Sequence, residues 1–304
     1  MSIKGTGLKP SRPIAGILWM SLAMLLSAAA GACVRQLAGE VPTLELVFFR
    51  NVVGLLLLVP WLTRQGLGVM RTSRLPLYCL RVFFAYTAMV MLFYAWGEMP
   101  IADVFALQFT IPLFTIMLAV FILKQQTDRQ AWAACLIGFA GALIVMRPGV
   151  IELTLAAVAA IASAMMSAGS NTTIKLLTRT ESVGTITVYS NLLMLPLALI
   201  PTFFVWVTPG MEQIPWIVGA ALFSAVGGIC FTLAVGAADA RVVQPFQFTR
   251  MIFAAVIGYA MFVELPDVWT WVGATVIFAA SYYIVWRETK KRNAAQESTG
   301  SPAS

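Results

Sequence analysis

Apolar residues do not alternate with polar ones along this chain. They fill stretches of about 20 residues, each closed by a short cluster of charges, glycines or prolines. At about 1.5 Å per residue, a helix of that length crosses a bilayer core of about 30 Å. Ten such stretches are predicted as helices, at 14–36, 43–62, 75–97, 100–123, 129–147, 151–175, 184–207, 214–237, 241–263 and 267–287. The breaks carry Gly39 with Pro42, Pro100, Arg147-Pro148-Gly149, Pro209-Gly210 and Pro266, and none leaves room for a soluble domain. Only the tail, 288–304, reads as disordered. The fold class that follows is an all-α membrane protein of ten transmembrane helices.

Composition agrees. The 304 residues are 60% hydrophobic and 11% charged, with a mean hydropathy of +0.86, too apolar to solvate the surface of a soluble domain. The first apolar run is longer than a usual signal core, so it is expected to remain as the first helix although SAAAGA (27–32) resembles a cleavage site. Fifteen of the twenty lysines and arginines fall on the side of the N-terminus, among them Lys4, Lys9, Arg12, Arg64, Arg74, Lys124, Arg129, Lys175 and Arg287. Acids gather at the opposite ends: Glu40, Glu45, Glu98, Asp103, Glu152, Glu212, Glu264 and Asp267. The positive-inside rule then puts both termini in the cytoplasm. The +7 net charge is a topology signal, and no nucleic-acid partner is expected. Trp61, Trp96, Trp132, Trp206, Trp216, Trp269, Trp271 and Trp286 lie near helix ends and read as an interfacial belt, while Trp19 sits deeper and can face a cavity.

The second half repeats the first. Gln108-Phe109-Thr110 returns as Gln247-Phe248-Thr249, 139 residues later (247 − 108), and Ala95/Ala234, Gly97/Gly236, Asp128/Asp267 and Trp132/Trp271 keep that register. At a shift of 140, Asn51 meets Asn191 and Arg35 meets Lys175. Ten helices divide into five and five. An odd number per unit turns the second copy upside down, the inverted-repeat arrangement of many secondary transporters, with a substrate site near the midplane. The units are drawn as 1–147 and 148–287.

FFRNVVGLLLL (48–58), FYAWGEMPIADVFALQFTIPLF (93–114) and RQAWAACLIGFAGALIVMRPG (129–149), with weaker echoes at 234–287, resemble the ten-helix EamA branch of the drug/metabolite transporter superfamily. One departure stands out: the family often closes the fourth helix with a glutamate, where this chain reads Leu123-Lys124-Gln125, although Glu264 is present in the second copy. The resemblance implies a multi-pass protein of the bacterial inner membrane, with a cavity lined by helices 1–4 and 6–9 and helices 5 and 10 at the periphery. It also implies alternating-access transport of a small organic solute. The first half is most similar to the branch with bacterial riboflavin and S-adenosylmethionine uptake proteins.

From the residues themselves, Arg250 lies about nine residues, or about 14 Å, into its helix. A charge at that depth costs at least about 2.5–3.5 kcal/mol on insertion scales, so it should face protein or water. Gln244, Gln247 and Arg250 follow one another at i, i+3, i+6 and drift slowly around one side, and Gln108 lies at similar depth in the first copy. Arg50, beside Asn51, is about 140° around the helix from Glu45 and needs a partner elsewhere. Arg81 is close enough to the inner end to snorkel. The candidate substrate-binding set is therefore Arg250, Gln247, Gln108, Arg50, Asn51, Gln244 and Trp19.

Three deep arginines without a deep carboxylate predict an electropositive cavity, suited to a carboxylate, a phosphate or an acceptor-rich ring. The chain has no histidine, its cysteines show no CxxC spacing, and no nucleophile–base pair or GxxxxGK[ST] motif occurs, so neither enzyme, metal, cofactor nor ATP-driven pump is expected. A lipid-carrier flippase or a metabolite exporter of the same fold is the alternative. Small-residue helix faces leave room for homodimerisation without a sharp signal for it.

Overall fold

The computed structural model describes residues 13–65, 74–121, 129–147, 154–177, 180–181, 183–237 and 243–298. The basic residues Lys4, Lys9 and Arg12 and the departure at Leu123-Lys124-Gln125 lie outside them. Eleven α-helices follow in order among the described residues: α1 (Pro13–Gln36), α2 (Thr43–Gln65), α3 (Leu75–Glu98), α4 (Ile101–Gln108), α5 (Ile111–Phe121), α6 (Arg129–Met146), α7 (Leu155–Leu177), α8 (Val183–Val205), α9 (Ile214–Ala237), α10 (Thr249–Phe262) and α11 (Val268–Ser298). A 3-10 turn, Gln244–Phe248, leads into α10. The ten predicted spans are present, with three differences, of which this turn, breaking the ninth, is the first. The fourth is broken into α4 and α5, and the tenth continues to Ser298, because RETKKRNAAQES is rich in helix formers. Among the described residues six apolar helical runs are long enough to cross a membrane, α1, α3, the α4–α5 pair, α7, α9 and α11, and shorter apolar runs occupy α6, α8 and the turn–α10 pair.

The packing shows the repeat directly. Among the helix pairs in close contact are α1 with α9, α3 with α7, α6 with α11, α2 with α8 and, more lightly, α4 with α10. In spans these are 1·8, 3·6, 5·10, 2·7 and 4·9. Exchanging the halves turns 1·8 into 6·3 and leaves the other three pairs unchanged, as an inverted repeat requires. Every one of these interfaces joins the two copies, so the halves interlock and are not separate bodies.

Small residues and hydroxyls allow these crossings. Ala160, Ala164 and Ala168 of α7 are fully buried, and Ser163 Oγ donates to the Ala88 carbonyl of α3 at 2.7 Å. Thr202 Oγ1 on α8 reaches the Leu44 carbonyl of α2 at 3.0 Å. Where α6 crosses α11, a Cβ built on Gly273 would stand 2.6 Å from the Gly141 oxygen, so the two backbones touch.

Candidate functional site

The repeated tripeptide lies at a helix discontinuity in both copies. Pro112 has no N–H to give, and Leu113 N bonds to Thr110 O at 3.0 Å, which ends α4 and leaves the Phe109 carbonyl without an intrahelical donor. Ser281 of α11 supplies one, Oγ to Phe109 O at 2.7 Å, as a broken helix inside a membrane demands. In the second copy the break is the 3-10 turn around Pro245. The threonines act alike: Thr110 Oγ1 donates to Leu107 O at 2.7 Å and Thr249 Oγ1 to Phe246 O at 2.6 Å, each three residues back. The phenylalanines meet across the pseudo-symmetry axis, Phe109 stacked on Phe248 at 5.5 Å and 19°. Both glutamines line the same cavity.

That cavity has a volume of about 850 Å³. It runs from Trp96, near the acidic ends of the helices, to Asn171, Phe231 and Val285 in the halves nearer the chain termini. Its charged lining residues are Arg50 and Arg250; among the described residues no aspartate or glutamate belongs to it. Arg250 makes weak local contacts: Nη2 lies 3.4 Å from Phe105 O, and the guanidinium sits over the Phe109 ring at 4.4 Å and the Phe105 ring at 5.2 Å. Its Nε–H is buried without a protein acceptor among the described residues. Among the described residues, Arg50 donates to the Oδ1 of its neighbour Asn51 at a long 3.4 Å. Ser27, Ser167, Ser170, Asn171, Ser224 and Tyr282 add neutral polar groups, and Phe93, Phe223 and Phe278 add aromatic faces. Two planar cations, neutral donors and aromatic walls, with no acid among the described lining residues, offer this cavity hydrogen-bond donors and flat apolar faces.

Of the candidates from sequence, Arg250, Gln247, Gln108 and Arg50 are brought together in the lining. Gln244 opens the 3-10 turn, and its side chain lies outside the description. Asn51 is fully buried behind Arg50 and donates to Val47 O at 2.8 Å, outside the lining. Trp19 is 38% exposed and is not among the residues that line this cavity. Trp96 is the converse, read as an anchor but 4% exposed and part of the cavity wall. Arg81 does not snorkel; its Nε donates to Ser190 Oγ of α8 at 2.6 Å. The tenth span is not peripheral, since Phe278, Ser281, Tyr282, Ile284 and Val285 line the cavity, whereas α8 contributes no lining residue. Serines in α7 and α11 could have been found from their spacing on the faces turned to the other copy, but nothing in the sequence separates them from packing serines.

Gln108 has a structural duty as well. Its Nε2 donates to Ala160 O of α7 at 3.0 Å, so Gln108→Ala is expected to cost about 1 kcal/mol of stability, a melting shift of a few degrees in detergent. That bond takes one Nε2 proton and leaves Oε1 and the second proton to the cavity, so a loss of solute affinity beyond the loss of stability, separated by paired melting and binding titrations, measures what those groups give the solute.

Comparison with known proteins gives three findings. The sequence pattern of the EamA-like transporter family matches residues 14–147 and again 154–286. The chain is 31% identical over 297 residues to a riboflavin transporter of Rhizobium johnstonii, covering 96% of this chain and 97% of the relative. It is 27% identical to an S-adenosylmethionine uptake transporter of Rickettsia prowazekii, covering 93% and 96%, and 26% identical to a pseudopaline exporter of Pseudomonas aeruginosa, covering 91% and 97%. A solved crystal structure shares the fold at a TM-score of 0.60 and 15% identity, over 88% of this chain and 95% of the other.

Proposed function

The chain belongs to the EamA-like transporter family, and on that premise we propose that it carries one acceptor-rich organic solute across the bacterial inner membrane by alternating access, both termini being cytoplasmic. Riboflavin is the first candidate, followed by a carboxylate-bearing amino acid and then S-adenosylmethionine. The observation that carries this reading is a cavity of about 850 Å³ that holds Arg50 and Arg250 and, among the described residues, no lining carboxylate. An uncompensated guanidinium in such a site is stabilised by a solute that brings its own acceptors. A bare organic cation has no counter-charge here. S-adenosylmethionine fits only through its carboxylate, and its sulfonium places it last. An isoalloxazine offers carbonyl and ring-nitrogen acceptors on a plane that a lining ring such as Phe223 can face. Relatives named for uptake and for export match alike, so direction is read from the assay.

The test is a melting screen of the purified protein against riboflavin, amino acids, other carboxylates and S-adenosylmethionine. Riboflavin or a carboxylate is expected to raise the midpoint, by about 2.7 kcal/mol of linkage at a concentration 100 times its Kd. A shift with S-adenosylmethionine alone would overturn the order given.

A further inference from the structure

On the face opposite the chain termini the two copies are tied together by charges. Arg35, in the last turn of α1, donates through Nη1 to Gly97 O of α3 at 2.7 Å and through Nη2 to Glu264 Oε1 at 2.6 Å, in the connection between α10 and α11. Arg147, just past α6, pairs with Asp267 at 2.5 Å, just before α11. Thr270 Oγ1 of α11 donates to Asp103 Oδ1 of α4 at 2.7 Å. Each of the two ion pairs joins a residue of the first copy to one of the second.

The backbone at these points is unusual. Arg147 (φ 45°) and Val263 (φ 57°) are the non-glycine residues with positive φ among the described residues. Val263 occupies the left-handed position that closes α10, where glycine is the ordinary choice and a β-branched side chain is strained. Its N–H bonds to Tyr259 O at 3.1 Å and that of Glu264 reaches back six residues to Gly258 O at 3.2 Å, the closure that sets Glu264 beside Arg35. Strain held at both ion pairs marks a place built to hold one arrangement. Directly inside it, Trp96 precedes the tethered Gly97, packs edge-on against Phe105 at 5.6 Å and forms part of the cavity wall.

We propose that Arg35–Glu264 and Arg147–Asp267 form a latch that closes the cavity toward the acidic face and must break for the cavity to open there. This rests on the alternating-access reading above. The paired side chains are 20–45% exposed, within reach of water, so each pair is weak enough to be made and broken in a cycle. The latch holds the copies by their ends, while the helix crossings nearer the midplane stay packed.

The experiment needs no solute. Ser27 of α1 lines the cavity and is changed to cysteine in a chain whose four native cysteines are replaced by alanine. The protein is placed in liposomes, with a protease-protected C-terminal tag fixing which face is out, and a charged, impermeant methanethiosulfonate is added to one face at a time. With the latch intact, labelling from the acidic face should be slow and labelling from the termini face fast. Glu264→Gln or Asp267→Asn should speed labelling from the acidic face up to about fivefold each, and both together about tenfold or more, while slowing it from the termini face. Unchanged rates in the double variant would overturn the latch, and so would rates that rise on both faces together, the result expected from mere loosening. Either result leaves the solute assignment standing, because uptake is not the readout.

Discussion

Replacing Arg250 with alanine is expected to weaken solute binding at least about 100-fold and to abolish uptake without unfolding the protein. Among the described residues the guanidinium has one long hydrogen bond, to Phe105 O at 3.4 Å, and otherwise rests on the Phe109 and Phe105 rings. Folding therefore gains little from it, and burying a charge with no counter-ion costs stability, so the alanine variant should melt at the same temperature or higher. Binding is another matter. A hydrogen bond to a charged group contributes about 1.5–3 kcal/mol, and a planar fork can give two of them to one acceptor pair, which is the basis of the 100-fold figure. Arg250→Lys keeps the charge but loses the fork and the flat stack on Phe109, and should fall between wild type and alanine. Paired binding isotherms and melting curves check both halves of the claim; a melting drop of more than a few degrees in the alanine variant would make Arg250 a structural residue.

The largest effect on the fold is expected at Gly273. A Cβ there would meet backbone on the facing helix, the Gly141 oxygen at 2.6 Å and Val145 N at 3.0 Å, along with the Val145 side chain. None of the backbone atoms can move without shifting α6 as a whole, and the α6–α11 crossing is one of the principal contacts between the copies. Gly273→Val should cost more than about 3 kcal/mol and leave little monodisperse protein in detergent, measured by size-exclusion chromatography. Gly228 is the control. It lines the cavity, a Cβ there meets nothing within 4 Å, and Gly228→Ala should be neutral or slightly stabilising through helix propensity.

The pattern of apolar stretches carried most of the architecture, because in a membrane each helix must satisfy its own backbone and announces itself by length. The boundaries of α1, α3, α6 and α9 fall within a residue or two of those read from the chain. The repeated Gln-Phe-Thr carried more than expected. It marked the two cavity-lining glutamines, and it also marked two helix breaks that periodicity passes over, since a break of two residues at Phe109-Thr110 hardly disturbs an apolar run. What depends on which helix faces which was illegible. Trp19 is 38% and Trp96 4% exposed, a difference set by how α1 and α3 pack and carried by no local spacing. Arg35 and Glu264 are 229 positions apart, and no local spacing links them. The lining role of the tenth span has the same cause: Ser281 is one more serine in a run of apolar residues until the freed Phe109 carbonyl is placed beside it.

The most direct test of the central claim is solute counterflow in proteoliposomes. Vesicles loaded with unlabelled riboflavin are diluted into a trace of labelled riboflavin, with wild type and Arg250→Ala in parallel. Transport through the cavity predicts transient accumulation of label well above protein-free vesicles for wild type and none for the variant. Accumulation that persists in Arg250→Ala would contradict the role given to the arginine. Flux equal to protein-free vesicles for riboflavin, carboxylates and S-adenosylmethionine alike, with faster exchange of a labelled phospholipid between leaflets, would contradict the solute reading and favour a flippase.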